Sequence, residues 1–351
     1  MATTKAASFS GSLRSRHEEV CNCTPIALFV YNRRHHTEKT VKALKQNTLA
    51  SRSDLFVFSD GSKSVADSQA VQKVRDFIRT IEGFRSVTIV ERDRNYGLAN
   101  SVISGITKVC NEYGRVIAIE DDLLTTADFL TFMNQALERY VAEPRVYSIS
   151  GFNFGFQGPG HYPYDAFYFY RSSSLGWGTW RDRWEQADWS MSDISAFCAS
   201  KEQQRRFSRA GEDLCRMLAM QMSGKCDSWA IRWAYTHFKQ DAVAVLSYLP
   251  RVFHIGSDRH ATNARWKSFK QLPLTLEFKS EFRFPESLEL EENFVRELQG
   301  SFRPSLAKKL ARYLLHGRVR LTDRRLSSAE GPVAKAEPSA LPDPNRSSLG
   351  D

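Results

Sequence analysis

The stretch Val116-Ile117-Ala118-Ile119-Glu120-Asp121-Asp122 decides how this chain is read. Its first four residues are apolar and rich in β-branched side chains, a length that suits a strand rather than a helix. Apolar at both alternating positions, such a strand is buried on both faces, as in a parallel sheet. Three carboxylates follow at its carboxyl end. Like charges this close are costly unless a positive group joins them. A divalent cation is the usual answer, and carboxylate oxygens suit Mg²⁺ or Mn²⁺. The carboxyl ends of strands in open α/β sheets are also where ligands bind. The competing reading is an acidic loop that caps a helix starting near Thr125 or Thr126.

Upstream, three more short apolar runs have the same character: Ile26 to Tyr31, Asp54 to Ser59 and Val87 to Glu91. Helical patterns separate them, from Glu38 to Gln46, over 67–81 and from Leu98 onward. In the second of these, Val71, Val74, Phe77, Ile78 and Ile81 share one face. Strands alternating with helices across short loops predict a doubly wound, mostly parallel α/β sheet. Past residue 145 the pattern changes. Aromatics and glycines crowd 147–189, helices are expected over 200–222 and 228–240, and short strands over 243–248 and 251–255. Residues 285–320 read as mixed helix. The stretch 1–23 and the Ser-, Pro- and charge-rich 322–351 read as disordered.

Composition narrows the class. Of 351 residues, 42% are hydrophobic and 25% charged, which fits a soluble globular protein. No apolar stretch approaches the roughly 20 residues of a membrane span. The polar N-terminus lacks the apolar core of a secretory signal. Cys21 and Cys23 are too close for a zinc CxxC, and Cys110, Cys198, Cys215 and Cys226 form no answering pair. Reduced thiols in a cytoplasmic protein are therefore expected. The net charge of +9 is weighted towards Lys308–Arg325. No recognition-helix, zinc-finger or RNA-binding signature accompanies it, so no nucleic-acid partner is expected.

Two further motifs stand at strand ends. Asp60-Gly61 closes the second strand, where a carboxylate can accept from a base edge or ribose; Asp-Gly is equally a strong turn dipeptide. Asn95-Tyr96-Gly97-Leu98-Ala99-Asn100 runs into a helix. Gly97 permits close backbone approach, and the helix N-terminus offers amides for phosphate. A plain turn before a helix is the alternative. The absence of a Walker loop and of GxGxxG argues against a dinucleotide dehydrogenase.

In order, Tyr31-Asn32-Arg33, Ser59-Asp60-Gly61-Ser62, Asn95 to Asn100 and Glu120-Asp121-Asp122 resemble the nucleotide-sugar-binding half of GT-A glycosyltransferases. Family 2 members and the N-acetylglucosaminyltransferase I group, which also carries a Glu-Asp-Asp triplet, are the most similar. The resemblance covers residues 24–265. It implies a GT-A fold with a nucleotide-sugar half at 24–145, an acceptor half at 146–275 and a helical, basic segment at 276–321. By this resemblance Tyr31, Asn32 and Arg33 border the nucleotide, and Asp60 holds the base. Asn95 and Gly97 lie near base and ribose, Glu120 and Asp121 face ribose and diphosphate, and Asp122 binds Mn²⁺ or Mg²⁺ directly.

The second half should supply the acceptor site and a base. Leu175-Gly176-Trp177-Gly178-Thr179-Trp180 resembles the family's glycine-aromatic acceptor loop, with an aromatic core segment as the alternative. Gly176, Trp177 and Trp229 would then touch the acceptor, a glycan or lipid-linked glycan. Asp227, just before Trp229, is the candidate general base by the same resemblance, and it also suits a helix N-cap. Asp182, Glu185 and Asp188 are reserves. His254 and His260, on a strand and loop similar to the family's diphosphate-closing segment, are candidate metal or phosphate contacts, with structural roles as the alternative. Arg259 and Arg265 can clamp phosphate or lie in solvent. The amphipathic, basic stretch 306–320 can rest on an anionic membrane at its inner face or pack on the domain. The expected activity is inverting, metal-dependent transfer from a UDP-sugar. A sugar-phosphate nucleotidyltransferase and a non-catalytic nucleotide- or glycan-binding protein are the alternatives. The first would show a glycine-rich loop after the first strand, which Tyr31-Asn32-Arg33-Arg34 lacks.

Overall fold

The computed structural model describes residues 23–256, 271–275 and 277–303. In chain order the elements are β1 (Ile26–Val30), α1 (Arg34–Lys45), β2 (Asp54–Ser59), α2 (Val65–Ile78), β3 (Ser86–Glu91), α3 (Gly97–Tyr113), β4 (Arg115–Glu120), β5 (Leu123–Thr125), α4 (Phe129–Arg139), β6 (Val146–Ser150), β7 (Ala166–Phe169), β8 (Trp177–Trp180), α5 (Arg181–Trp184), α6 (Ile194–Ala199), α7 (Lys201–Phe207), α8 (Leu214–Met222), α9 (Trp229–Lys239), β9 (Val243–Ser247), β10 (Val252–His254) and α10 (Glu292–Ser301).

Eight strands form one mostly parallel sheet in the order β3-β2-β1-β4-β8-β6-β9-β7. β3, β2, β1 and β4 run parallel, as do β6 and β9, while β8 is antiparallel to both its neighbours. β5 and β10 form a separate antiparallel pair. The α/β class expected from the sequence is the one observed. All five residues of β1 and all six of β2 are buried, as apolar runs without alternation require. The two faces of β4 feed different cores. Ile117 and Ile119 join a large core with α4 and the second half of the sheet. Val116 and Ala118 join a smaller one covered by α3 and α9.

Several expectations are corrected. The acidic turn leads into β5, not a helix, and α4 begins only at Phe129. The glycine-aromatic stretch Trp177–Trp180 is a strand, β8, hydrogen-bonded between β4 and β6. The helix expected over 200–222 is broken at Gly211. Its φ of +145° is open to glycine, and a Cβ there would come within 2.5 Å of Arg171 Nη1. The first compact unit runs through Arg303, so 277–303 belong to the core body rather than to an appended segment. Phe282, Phe294, Leu298 and Phe302 are buried there. Five of the six cysteines, Cys23, Cys110, Cys198, Cys215 and Cys226, are described, and none of these five is in a disulfide. The expectations for 1–22, 306–320 and 322–351 lie outside the described residues. Among those described, no helix is long and apolar enough to cross a membrane.

Candidate active site

From β1 the chain steps outward to β2 and β3, then crosses back to β4 on the other side of β1. This reversal puts a topological switch point at the carboxyl ends of β1 and β4, the place where ligands of open α/β sheets bind. Arg33 follows β1, and Asp121 and Asp122 follow β4. Arg33 Nη2 donates to Asp121 Oδ1 at 2.5 Å and to Asp122 Oδ2 at 2.7 Å. The positive group demanded by the triplet is thus supplied within the chain. Burial opposes the charge on Arg33, but the two carboxylates outweigh it and hold the guanidinium above its usual pKa.

Asp122 faces a second group. β10 pairs with β5 so that His254 lies opposite Leu123. This brings His254 Nε2 to 3.3 Å from Asp122 Oδ2. The Ile255 amide donates to the Asp122 carbonyl at 2.9 Å. Gly256 presses on the same carboxylate, since a Cβ there would sit 2.1 Å from Asp122 Oδ2. Thr40 of α1 fixes the turn from below: its hydroxyl donates to the Asp121 carbonyl and accepts from the Leu123 amide. Burial and its carboxylate neighbours push Glu120 up to about 8. Burial also raises Asp121, to about 6, against the pull of Arg33. Burial works the same way on Asp122, but His254 and Arg33 outweigh it and keep that carboxyl below its usual range. A carboxylate oxygen and an imidazole nitrogen so close fit a shared divalent cation of the Mn²⁺ type. Among the described residues no third His, Cys, Asp or Glu joins them.

Asp60 is buried and fully engaged. Its oxygens accept from the amides of Gly61, Tyr96 and Gly97 and from Asn95 Nδ2 at 2.8–3.2 Å. The carboxylate therefore ties β2 to the start of α3 and takes two of the amides expected to receive phosphate. Gly97 has φ +74° and nothing within 4 Å of a built Cβ, so the space before this helix is open. Tyr31 donates to Asp67 and accepts from the Lys63 amide, and Asn32 reaches Asp67 at 3.4 Å. Tyr31 and Asn32 thus meet on Asp67, and Asn95 and Gly97 meet on Asp60, in two separate hydrogen-bonded networks.

The acceptor candidates divide. Trp177 and Trp229 stack at 5.0 Å between centroids but are 1% and 3% exposed. Trp184, Trp189 and Trp233 complete the cluster. Their faces belong to the core, so the core alternative describes these rings and they offer no face to a sugar. Gly176, with φ +55°, lets the chain pass over Val252; a Cβ there would meet its Cγ2 at 2.5 Å. Asp227 is exposed and paired with Arg232 at 2.8 Å. The N-cap of α9 is Ser228, not Asp227, for its hydroxyl accepts from the Ile231 amide. Asp182 is exposed on α5, and Asp188 is consumed by Ser190 and Ser192. Ser257, Asp258, Arg259, His260, Asn263 and Arg265 lie outside the described residues. Sequence reasoning missed Thr40 and Gln271, whose partners lie far along the chain and leave no local signal.

No protein-family model matches this chain, and no curated protein matches it. Solved structures that it resembles include the mannosyltransferase PcManGT from Pyrobaculum calidifontis in complex with GDP-Man and Mn²⁺, at 17% identity over 36% of this chain and 34% of that one, TM-score 0.26. S. aureus TarS 1–349 is similar at 9% identity over 67% and 60%, TM-score 0.37. The same protein in complex with UDP-GlcNAc matches at 13% over 40% and 37%, TM-score 0.27. The chain thus spans about a third to three fifths of the length of these proteins.

Proposed function

We propose that this chain is a glycosyltransferase of the GT-A type, moving a sugar from a nucleotide-diphosphate donor to a hydroxyl of a glycan or lipid-linked glycan. The observation that carries the reading is the convergence of Arg33, Asp121, Asp122 and His254 at the switch point beyond the carboxyl ends of β1 and β4. The Asp60–Asn95–Gly97 rim beside it would frame the nucleoside. Arg33 is the group to meet diphosphate oxygens, with its planar fork suited to them. Asp122 and His254 would hold Mn²⁺ or Mg²⁺, with water and diphosphate oxygens completing the shell. Bound there, the cation would offset charge gathering on the leaving diphosphate.

Asp227 is the proposed base of an inverting transfer. Its helix begins beside Trp177, whose strand position pairs with Ala118, two residues before Glu120. Glu120 alternates onto the same α3/α9 face as Ala118. This supports an acceptor entering between α9 and the triplet. Asp227 would take the acceptor proton, the acceptor oxygen would bond to the anomeric carbon, and the electron pair of the broken bond would leave on the diphosphate.

The test is thermal stability with UDP, GDP, TDP and CMP, each with and without Mn²⁺, on wild type and Asp122→Ala. A ligand that binds only the folded state raises Tm by mass action. The expected result is a Mn²⁺-dependent shift with one diphosphate, absent in Asp122→Ala. Folded protein with no shift for any nucleotide would overturn the reading. Binding without product formation would favour the non-catalytic alternative.

A further inference from the structure

β10 is three residues long and, among the described residues, has a strand on one edge only. That edge takes the Ile255 amide, which reaches the Asp122 carbonyl. The backbone of His254 faces the other edge, where the side chain of Gln271 stands in for a strand. The His254 amide donates to Gln271 Oε1 at 2.8 Å, and Gln271 Nε2 donates to the His254 carbonyl at 3.1 Å. A carboxamide carries a donor and an acceptor side by side, as a peptide group does, so it can satisfy both backbone groups of one residue. The imidazole of that residue leads to Asp122.

We propose that Gln271 is a positioning residue whose carboxamide fixes His254 so that its imidazole and the Asp122 carboxylate form a two-donor cation site. The inference rests on the reading that these two residues hold the metal. Gln271 acts through His254 and touches no reacting atom. The site has little slack to absorb an error. A Cβ at Gly256 would lie 2.1 Å from Asp122 Oδ2 and 2.9 Å from His254 Nε2, so neither the carboxylate nor the ring has a side chain's width of space towards this backbone. The two Gln271 bonds hold both backbone groups of His254. Hydrogen bonds that orient metal ligands are commonly worth about 10–100-fold in metal affinity.

The experiment measures Mn²⁺ binding to the full chain without nucleotide, from the electron paramagnetic resonance signal of free Mn²⁺. Wild type, Gln271→Ala, Gln271→Glu, His254→Ala and the Gln271→Ala/His254→Ala double variant are compared, with a melting curve for each. Gln271→Glu keeps the side-chain volume and the acceptor but sets an oxygen against the His254 carbonyl, so it tests the clamp even if the alanine variant folds poorly. We expect both single variants to bind Mn²⁺ about 10-fold more weakly or worse. The Gln271 penalty should vanish in the His254→Ala background, because residues acting as a unit are not additive. Wild-type affinity in the folded Gln271 variants, or a penalty that persists without the imidazole, would overturn the clamp. A wild type that binds no Mn²⁺ would overturn the metal reading itself, and the proposal with it.

Discussion

Gly256 is the residue on which the candidate site is most sensitive to a single atom. Adding a methyl to it forces the Asp122 carboxylate aside, because the built Cβ lies 2.1 Å from Oδ2. Misplacing a group by about 1 Å can cost about 100-fold in rate. Gly256→Ala should therefore lose about 100-fold in transfer and also the Mn²⁺-dependent nucleotide shift in Tm, both read against wild type. Glu120 gives a second prediction. In the folded chain it keeps its proton up to about 8, against 4.5 ordinarily. Between those values the folded state binds more protons than the unfolded state, so stability falls as pH rises through the window. Asp121, raised to about 6 from 3.8, adds in the same direction. The ligand-free Tm should drop from about pH 5 to about pH 8, and Glu120→Gln should flatten the drop; a flat wild-type profile would refute it. The demand for a cation beside the triplet was legible in the sequence, because three adjacent carboxylates state it. That Arg33 answers it was not, since it comes from another strand 88 positions away.

At the scale of elements, the first half, α9, β9 and β10 were legible and the aromatic stretch 147–189 was not, for one physical reason. β1, β2 and β4 are buried, largely apolar runs and β3 is a half-exposed edge strand, and all four fall within a residue of their expected limits. α1 starts at Arg34 rather than Glu38, because its polar first turn carries no apolar stripe to mark it. β7 and β8 lie among aromatics and glycines that are buried on every side, so no alternation announces a strand. Trp177 shows what such a segment does. It is 1% exposed and packed against Trp184, Trp229 and Trp233. Replacing a buried aromatic by alanine costs about 3–5 kcal/mol. Trp177→Ala should lower stability to denaturant by about that much; a selective rise in acceptor KM at unchanged stability would restore the acceptor-loop reading. Asp227→Asn should behave in the opposite way. Its side chain is 58% exposed, and a solvent-exposed ion pair such as that with Arg232 is worth about 0–1 kcal/mol. Tm and donor affinity should hold while kcat falls about 100-fold or more, the scale of a lost general base.

Across the whole molecule, the sheet depends on chain that follows the site by many residues. Residues 277–303 return over α4 and the outer strands, burying Phe282, Phe294, Leu298 and Phe302. Phe282 packs edge-on to Phe132 of α4, and the Arg251 guanidinium lies 5.0 Å from the Phe132 ring and 4.4 Å from that of Phe282. Arg251 is 3.5 Å from the Asp128 carboxylate, which also accepts from the Lys279 amide. Sequence reading took 285–320 as mixed helix and 276–321 as a helical, basic segment, and only α10 (Glu292–Ser301) is helical among the described residues of 277–303. The fold uses the four buried apolar residues as separate anchors. Burying one large apolar side chain is worth about 1.5–3 kcal/mol, and a domain's net stability is about 5–15 kcal/mol. Four such anchors therefore approach the whole of it. A chain ended after Thr275 should give no cooperative thermal transition. One ended after Arg303, where the first compact unit closes, should melt cooperatively and keep the Mn²⁺-dependent nucleotide shift. If the shorter chain instead melted cooperatively and bound nucleotide, 277–303 would be an accessory to the fold, and the buried Arg251–Asp128 pair would have to hold α4 to the sheet without it.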